Sequence, residues 1–205
     1  MPRVRMSDAD IAAARKNILQ QAAEIVRKVG FDGLSMRVLA DHLGVSPGAL
    51  YRYFPSKTEL LWAFWAEGID QLRTVFATLD ATIADPVGAI RAMMHAYADF
   101  CLADAHRFQL LFLNPALECA DALQRDASSF LPFELLVKRV AQAADSGILP
   151  PGDPQQQAAI LWASAHGAIT LVMTMTELDF GDPHAFIAHT AEATLRGLST
   201  AGATP

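Results

Sequence analysis

The chain has 205 residues, of which 52% are hydrophobic and 19% charged. A chain of this size buries roughly 70% of its unfolded surface, and scarce runs of Val, Ile and Thr point to an all-α protein. The net charge of −6 argues against nonspecific nucleic-acid binding by the whole surface, and no apolar run reaches the ~18 residues of a transmembrane helix.

The charge is unevenly spread. Residues 1–60 carry nine Lys or Arg against six acids, and the remainder seven against sixteen. A basic end on an acidic protein can orient it on a polyanion. The N-terminus lacks the apolar stretch of a secretory leader, so a reducing cytoplasm is expected. Cys101 and Cys119 then read as free thiols.

The elements follow from turn chemistry and apolar spacing. Nine helices are expected, at about 8–29, 35–42, 46–52, 56–80, 86–103, 105–113, 128–146, 154–178 and 183–198. In the first, Ile11, Ala14, Ile18, Ala22, Ile25 and Val29 recur every three or four residues as one buried stripe. "GFDG" (Gly30 to Gly33) closes it. Asp85-Pro86, Asp153-Pro154 and Asp182-Pro183 each set an N-cap acid before a proline in the first turn. The last two helices are apolar on more than one face, as in a helix buried in its own domain or against a partner.

Met36 to Pro55 has the spacing of a helix-turn-helix. Ala40 is small where the second helix crosses. Gly44 sits in a tight turn that favours positive φ. Leu39, Leu43, Val45 and Leu50 form a small core. Ser46 is an N-cap and Pro47 a first helical residue, so Ser-Pro-Gly begins a helix. Gly48 and Ala49 keep its first turn narrow, and that turn reads base edges in the major groove. An ordinary helical hairpin would also show the glycine turn. The residues that follow favour DNA: Tyr51, Arg52, Tyr53 and Lys57 bring donors suited to phosphate oxygens. One of the two tyrosines, with Phe54, is expected to pack inward.

The stretch from Gly30 to Glu67, "GFDGLSMRVLADHLGVSPGALYRYFPSKTELLWAFWAE", resembles the DNA-binding domain of the TetR family of bacterial transcriptional regulators. Gly33, Ala40, Gly44, Val45, Ser46 and Gly48 fit the family pattern, as do Leu50, Tyr51, Tyr53, Phe54, Lys57 and Leu60. Ser35 stands where Thr is more usual. The resemblance implies an all-α homodimer. Residues 1–55 would be the helix-turn-helix domain on a palindromic double-stranded DNA operator, and residues 56–205 a helical domain for a small effector and dimerisation. It makes Arg37 and Ala49 the base contacts. Ser35, Tyr51, Tyr53 and Lys57 become phosphate contacts, and Ser46, Pro47 and Gly48 lie at the groove. Arg3 and Arg5 would form a basic arm or an unstructured end.

Farther on, "LWASAHG" (Leu161 to Gly167) resembles the Trp-His-Gly element of one subgroup of the family's C-terminal domains, and "HRFQLLF" (His106 to Phe112) resembles its short helix. Trp162 and His166 share a face. Met93, Tyr97 and Phe100 lie on an earlier helix, with Phe108, Phe112 and Phe133 after them. These eight could line an apolar effector pocket with His166 and Tyr97 as polar anchors; taken singly, each fits a plain core better. Thr170, Met173, Thr174, Phe186 and His189, with Thr190, Ala193, Thr194 and Gly197, form the expected dimer surface. His95 with Asp99, and His184 with His189, lack a third ligand, so no metal or other cofactor is expected. No phosphate loop or nucleophile elbow is present, which argues against an enzyme. The expected function is a ligand-responsive DNA-binding regulator, a repressor released by an apolar small molecule. The alternatives are a helical small-molecule enzyme or a protein-interaction adaptor.

Overall fold

A computed structural model describes residues 7–114 and 125–200; Arg3, Arg5 and Cys119 lie outside them. Every regular element among the described residues is helical. In order they are α1 Asp8–Gly33, α2 Met36–Leu43, α3 Pro47–Leu50, α4 Lys57–Thr82 and α5 Pro86–Leu102, then α6 Ala105–Phe108, α7 Leu131–Asp145, α8 Pro154–Thr174 and α9 Pro183–Thr200. A π turn, Gln109–Leu113, extends α6, and a 3-10 turn, Ala127–Phe130, leads into α7. The chain divides into two compact units, Met1–Gly68 with His106–Cys119, and Ile69–Ala105 with Ala120–Pro205. The division falls inside α4.

In the first unit α1 begins with a capping box. The Ser7 hydroxyl accepts from the Asp10 N–H at 3.2 Å, and the Asp10 carboxylate accepts from the Ser7 N–H at 3.1 Å. Ile18, Ala22, Ile25 and Val26 turn inward. The expected stripe fails at both ends: Ile11 is 38% exposed and Val29 58%. The physical reason is length. Before Gly30, α1 extends roughly 33 Å at 1.5 Å per residue, against roughly 12 Å for α2, and its ends outreach the small core. Gly30, with φ of 71°, interrupts the helix as expected. Phe31 to Gly33 add a last turn.

The α2–α3 corner follows its sequence chemistry closely. The Ser35 hydroxyl accepts from the Val38 N–H at 3.1 Å and caps α2. Gly44 closes α2 in the left-handed region at φ 65°, and the Val45 N–H reaches the Ala40 carbonyl at 3.0 Å. Leu39, Ala40, Leu50 and Phe54 are buried. Val45 corrects the sequence reading: it is 42% exposed and lies outside the core, because the left-handed turn directs it outward. Ser46 takes the N-cap backbone conformation but makes no side-chain cap hydrogen bond. Pro47 takes the first helical position, where its missing N–H costs nothing.

The second unit packs α5, α7, α8 and α9 together, with α8 and α9 most extensively paired. All three Asp-Pro starts are capped as expected. Asp85 accepts from the Gly88 N–H at 2.6 Å, Asp153 from Gln155 at 2.9 Å and Asp182 from Ala185 at 2.8 Å. Asp80, near the end of α4, is a hub for α7. It accepts from Lys138 Nζ and Arg139 Nε, each at 2.7 Å, and Arg139 also donates to the Asp80 carbonyl. Burial opposes ionisation of Asp80, but these bonds outweigh it and hold its carboxyl below the usual range. Cys101 is buried, close to Tyr97.

Replacing Gly44 tests the turn. Gly44→Ala is expected to cost about 1 kcal/mol, since a Cβ disfavours left-handed backbone. Gly44→Asn should cost less. Urea unfolding midpoints measure both, and equal losses would contradict a conformational cause.

Candidate functional site

The first unit presents one coherent surface. Arg37 on α2 and Ser46, Pro47 and Gly48 at α3 are exposed, as are Tyr51, at 48%, and Arg52. Ala49 and Tyr53 are half-buried. α3 has only four residues, and so short a helix does not persist by itself. Two inward side chains hold it, Leu50 at 2% and Phe54 at 0% exposure. Arg15 on α1 locks the far side. Its guanidinium lies 4.2 Å over the Phe54 ring and donates to the Tyr53 carbonyl.

Other side chains acquire roles that the sequence did not disclose. Lys57 Nζ donates to the Phe31 carbonyl at 2.9 Å. The expected phosphate contact therefore has a structural duty as well: it joins the end of α1 to the start of α4. The Ser35 hydroxyl is likewise committed as a cap acceptor, while its proton stays available for donation. Ser46, lacking a cap bond, keeps its hydroxyl exposed beside α3. Sequence reasoning missed Val38, 43% exposed, and the outward position of Val45. Exposed β-branched side chains flanking Arg37 and Ser46 suit contact with thymine methyl groups. Spacing assigns Val45 to the small core, and no motif marks Val38.

The aromatic residues expected around an effector are only partly brought together. In the second unit the Tyr97 hydroxyl and His166 Nδ1 share a hydrogen bond at 2.7 Å. Trp162 lies 5.7 Å from the His166 ring and 5.8 Å from Phe133, centroid to centroid. Met93 is fully buried and Phe100 half-buried. Phe108 and Phe112 belong to the first unit and pair with each other at 5.4 Å. Burial pushes the Tyr97 phenol well above its ordinary value, and Cys101 nearby adds to this. Burial lowers His166 from its ordinary 6.5. Burial thus favours the neutral form of both groups, the form in which phenol and imidazole share a hydrogen bond. A cavity of about 230 Å³ lies elsewhere, between α5, α8 and α9, and includes none of the eight residues expected to line a pocket. The expected dimer surface also divides: Thr174, His189, Ala193 and Gly197 are exposed, whereas Thr170, Met173, Phe186 and Thr190 are half-buried, as is Thr194.

A short exposed helix locked behind a left-handed glycine turn, on a three-helix core, defines a helix-turn-helix DNA-binding protein. Comparison with known proteins agrees. Residues 18–64 match the sequence profile of bacterial regulatory proteins of the tetR family, and residues 90–195 match the tetracyclin repressor-like C-terminal domain. The HTH-type transcriptional regulator RutR of Escherichia coli K12 is 30% identical over 161 residues, 75% of this chain and 73% of RutR. The HTH-type transcriptional activator FasR of Mycolicibacterium smegmatis is 32% identical over 100 residues, 49% of this chain. That match spans only 46% of FasR. A solved structure of a protein of unknown function from Rhodococcus sp. RHA1 superposes with a TM-score of 0.77 at 27% identity, covering 97% of this chain and 99% of that one. The chain belongs to the TetR family of transcriptional regulators. Among the described residues no helix is long and apolar enough to cross a membrane.

His166 provides a test by pH. An imidazole with a folded pKa below 6.5 binds fewer protons folded than unfolded, so stability rises with pH through that range. Its contribution is fully present above about 6.5 and is lost as the pH falls toward the folded value. Thermal unfolding should show a lower Tm at about pH 5.5 than at about pH 7.5, and His166→Gln should flatten the difference. An unchanged slope in the variant would assign the effect to other groups.

Proposed function

We propose that the protein is a homodimeric transcriptional repressor that leaves a palindromic operator when an apolar small molecule binds. One observation carries this: the exposed row of Arg37, Ser46, Pro47, Gly48 and Tyr51 backed by fully buried Phe54. A rigidly held surface turn with donors on both sides suits a major groove flanked by phosphates. In this reading residues 1–55 bind DNA, with Arg37 and Ala49 at base edges. Ser35, Tyr51, Tyr53 and Lys57 meet phosphates. Residues 56–205 hold the effector and dimerise.

The dimer reading draws on the outer face of α8. Ile160, Ala163, Gly167 and Leu171 recur every three or four residues and are all exposed, Ile160 at 44% and Leu171 at 39%. Ala193 and Gly197 on α9 add small residues that permit close helix approach. A second copy would cover this stripe and set two reading heads one helical turn apart. An effector must bind the paired and released arrangements unequally to act. The lever in this reading is α4, within which the two compact units divide.

Gel shifts with the DNA upstream of its own gene test the reading. Arg37→Ala should cost about 1–3 kcal/mol at one base pair and change sequence preference. Lys57→Ala should weaken every sequence alike and also lower the Tm, since it releases the Phe31 carbonyl. Equal losses for both variants on all sequences would overturn the division of roles. Leu171→Asp should give a monomer in sedimentation and a large loss of operator affinity; a stable dimer would remove α8 from the interface. A reporter gene distinguishes repression from activation, the role named for FasR.

A further inference from the structure

The cavity between α5, α8 and α9 has an apolar floor and a polar mouth. Ile90, Met94, Ala98, Leu161, Ile187 and Leu195 form the floor, and each is buried. Arg91, His95 and His189 stand exposed around it. Acceptors at the mouth are already taken. Glu192 receives Arg91 through Nε at 2.8 Å and Nη2 at 3.0 Å, and Arg196 Nε at 3.0 Å. Asp85, the other acid whose charge reaches Arg91, accepts the Gly88 N–H. What remains open is the cationic donor Arg91 Nη1, with two imidazoles that can each donate one hydrogen bond and accept another; none of the three makes a hydrogen bond among the described residues.

Free donors above an apolar floor select a ligand with a hydrocarbon body and an oxygen end. At ~30 Å³ per water-sized group, the 230 Å³ of the cavity holds roughly eight non-hydrogen atoms. We propose that this cavity binds an aliphatic monocarboxylate of about six carbons, its chain on Leu161 and Ile187 and its carboxylate on Arg91, His95 and His189. The inference deepens the regulator reading by giving the effector a chemical class and a site apart from the Tyr97–His166 cluster.

Hexanoate, hexanol and hexylamine are the probes, and calorimetry on the full chain without DNA is the readout. Hexanoate is expected to bind and hexylamine to fail, with hexanol between them. Arg91→Gln should weaken hexanoate roughly tenfold or more, because a charge-assisted pair is lost. Ala188→Leu, at a half-buried position on the lining, should fill the mouth and abolish binding. Trp162→Ala, in the aromatic cluster, should leave it within about twofold, as a change outside the contact set does. Hexylamine binding as well as hexanoate, or loss in Trp162→Ala with retention in Ala188→Leu, would overturn the proposal. Failure of hexanoate to bind folded wild-type protein would do so as well. Because no DNA is present, a negative gel shift would sink the regulator reading and leave this result standing.

Discussion

The reading surface depends on one contact, the burial of Phe54 beneath Arg15. A four-residue helix contributes little order of its own, because nucleating a turn fixes several dihedrals for a single hydrogen bond. Its position must be imposed from behind. Burying a phenylalanine is worth about 1.5–3 kcal/mol, and a guanidinium over its face adds about 0.5–2 kcal/mol. Because Arg15 also binds the Tyr53 carbonyl, α1 grips both the side chain and the backbone of the segment after α3. Leu50 and the Gly44 turn fix the other end. The exposed residues are thereby held at known heights without contributing to their own support.

Local chemistry was legible in the sequence where the cause is local. Ser35, Gly44, Pro47 and the three Asp-Pro pairs act within four residues of themselves, and the structure bears out their positions. Element boundaries followed to within a few residues, the largest differences being α1, which resumes after Gly30 and runs to Gly33, and α8, which stops at Thr174, four residues early. Long-range roles were not legible. Nothing in spacing announces that Lys57 will find the Phe31 carbonyl, 26 residues away, or Arg15 the Tyr53 carbonyl, 38 away. Periodicity identifies a face but not how far its partner extends, which is why Ile11 and Val29 were misjudged.

The second unit shows the same limit in another form. Its aromatic residues pointed to a ligand site, yet four of them, Tyr97, His166, Trp162 and Phe133, form a chain of ring contacts, while the cavity opens along a seam of small and aliphatic residues. Aromatic groups fill space well and so are poor markers of where space remains. Ala98, Ala188 and Ala191 made the seam, and alanine is too common here to have drawn notice. The ion pair of Arg91 with Glu192 joins α5 to α9 across that seam, holding the Glu192 carboxyl at about 2.

The brevity of α3 has a consequence for information. Four residues at 1.5 Å each span about 6 Å, and a base-pair step rises about 3.4 Å. One turn can therefore interrogate about two steps directly. The two or three base pairs within that reach recur by chance throughout any genome, so α3 alone is close to illiterate. In the homodimer proposed above, a second copy at a fixed distance supplies the rest of the address, together with the stiffness and groove width of the DNA between them. Sequence discrimination in such a protein is a property of spacing, and whatever alters the spacing erases the address.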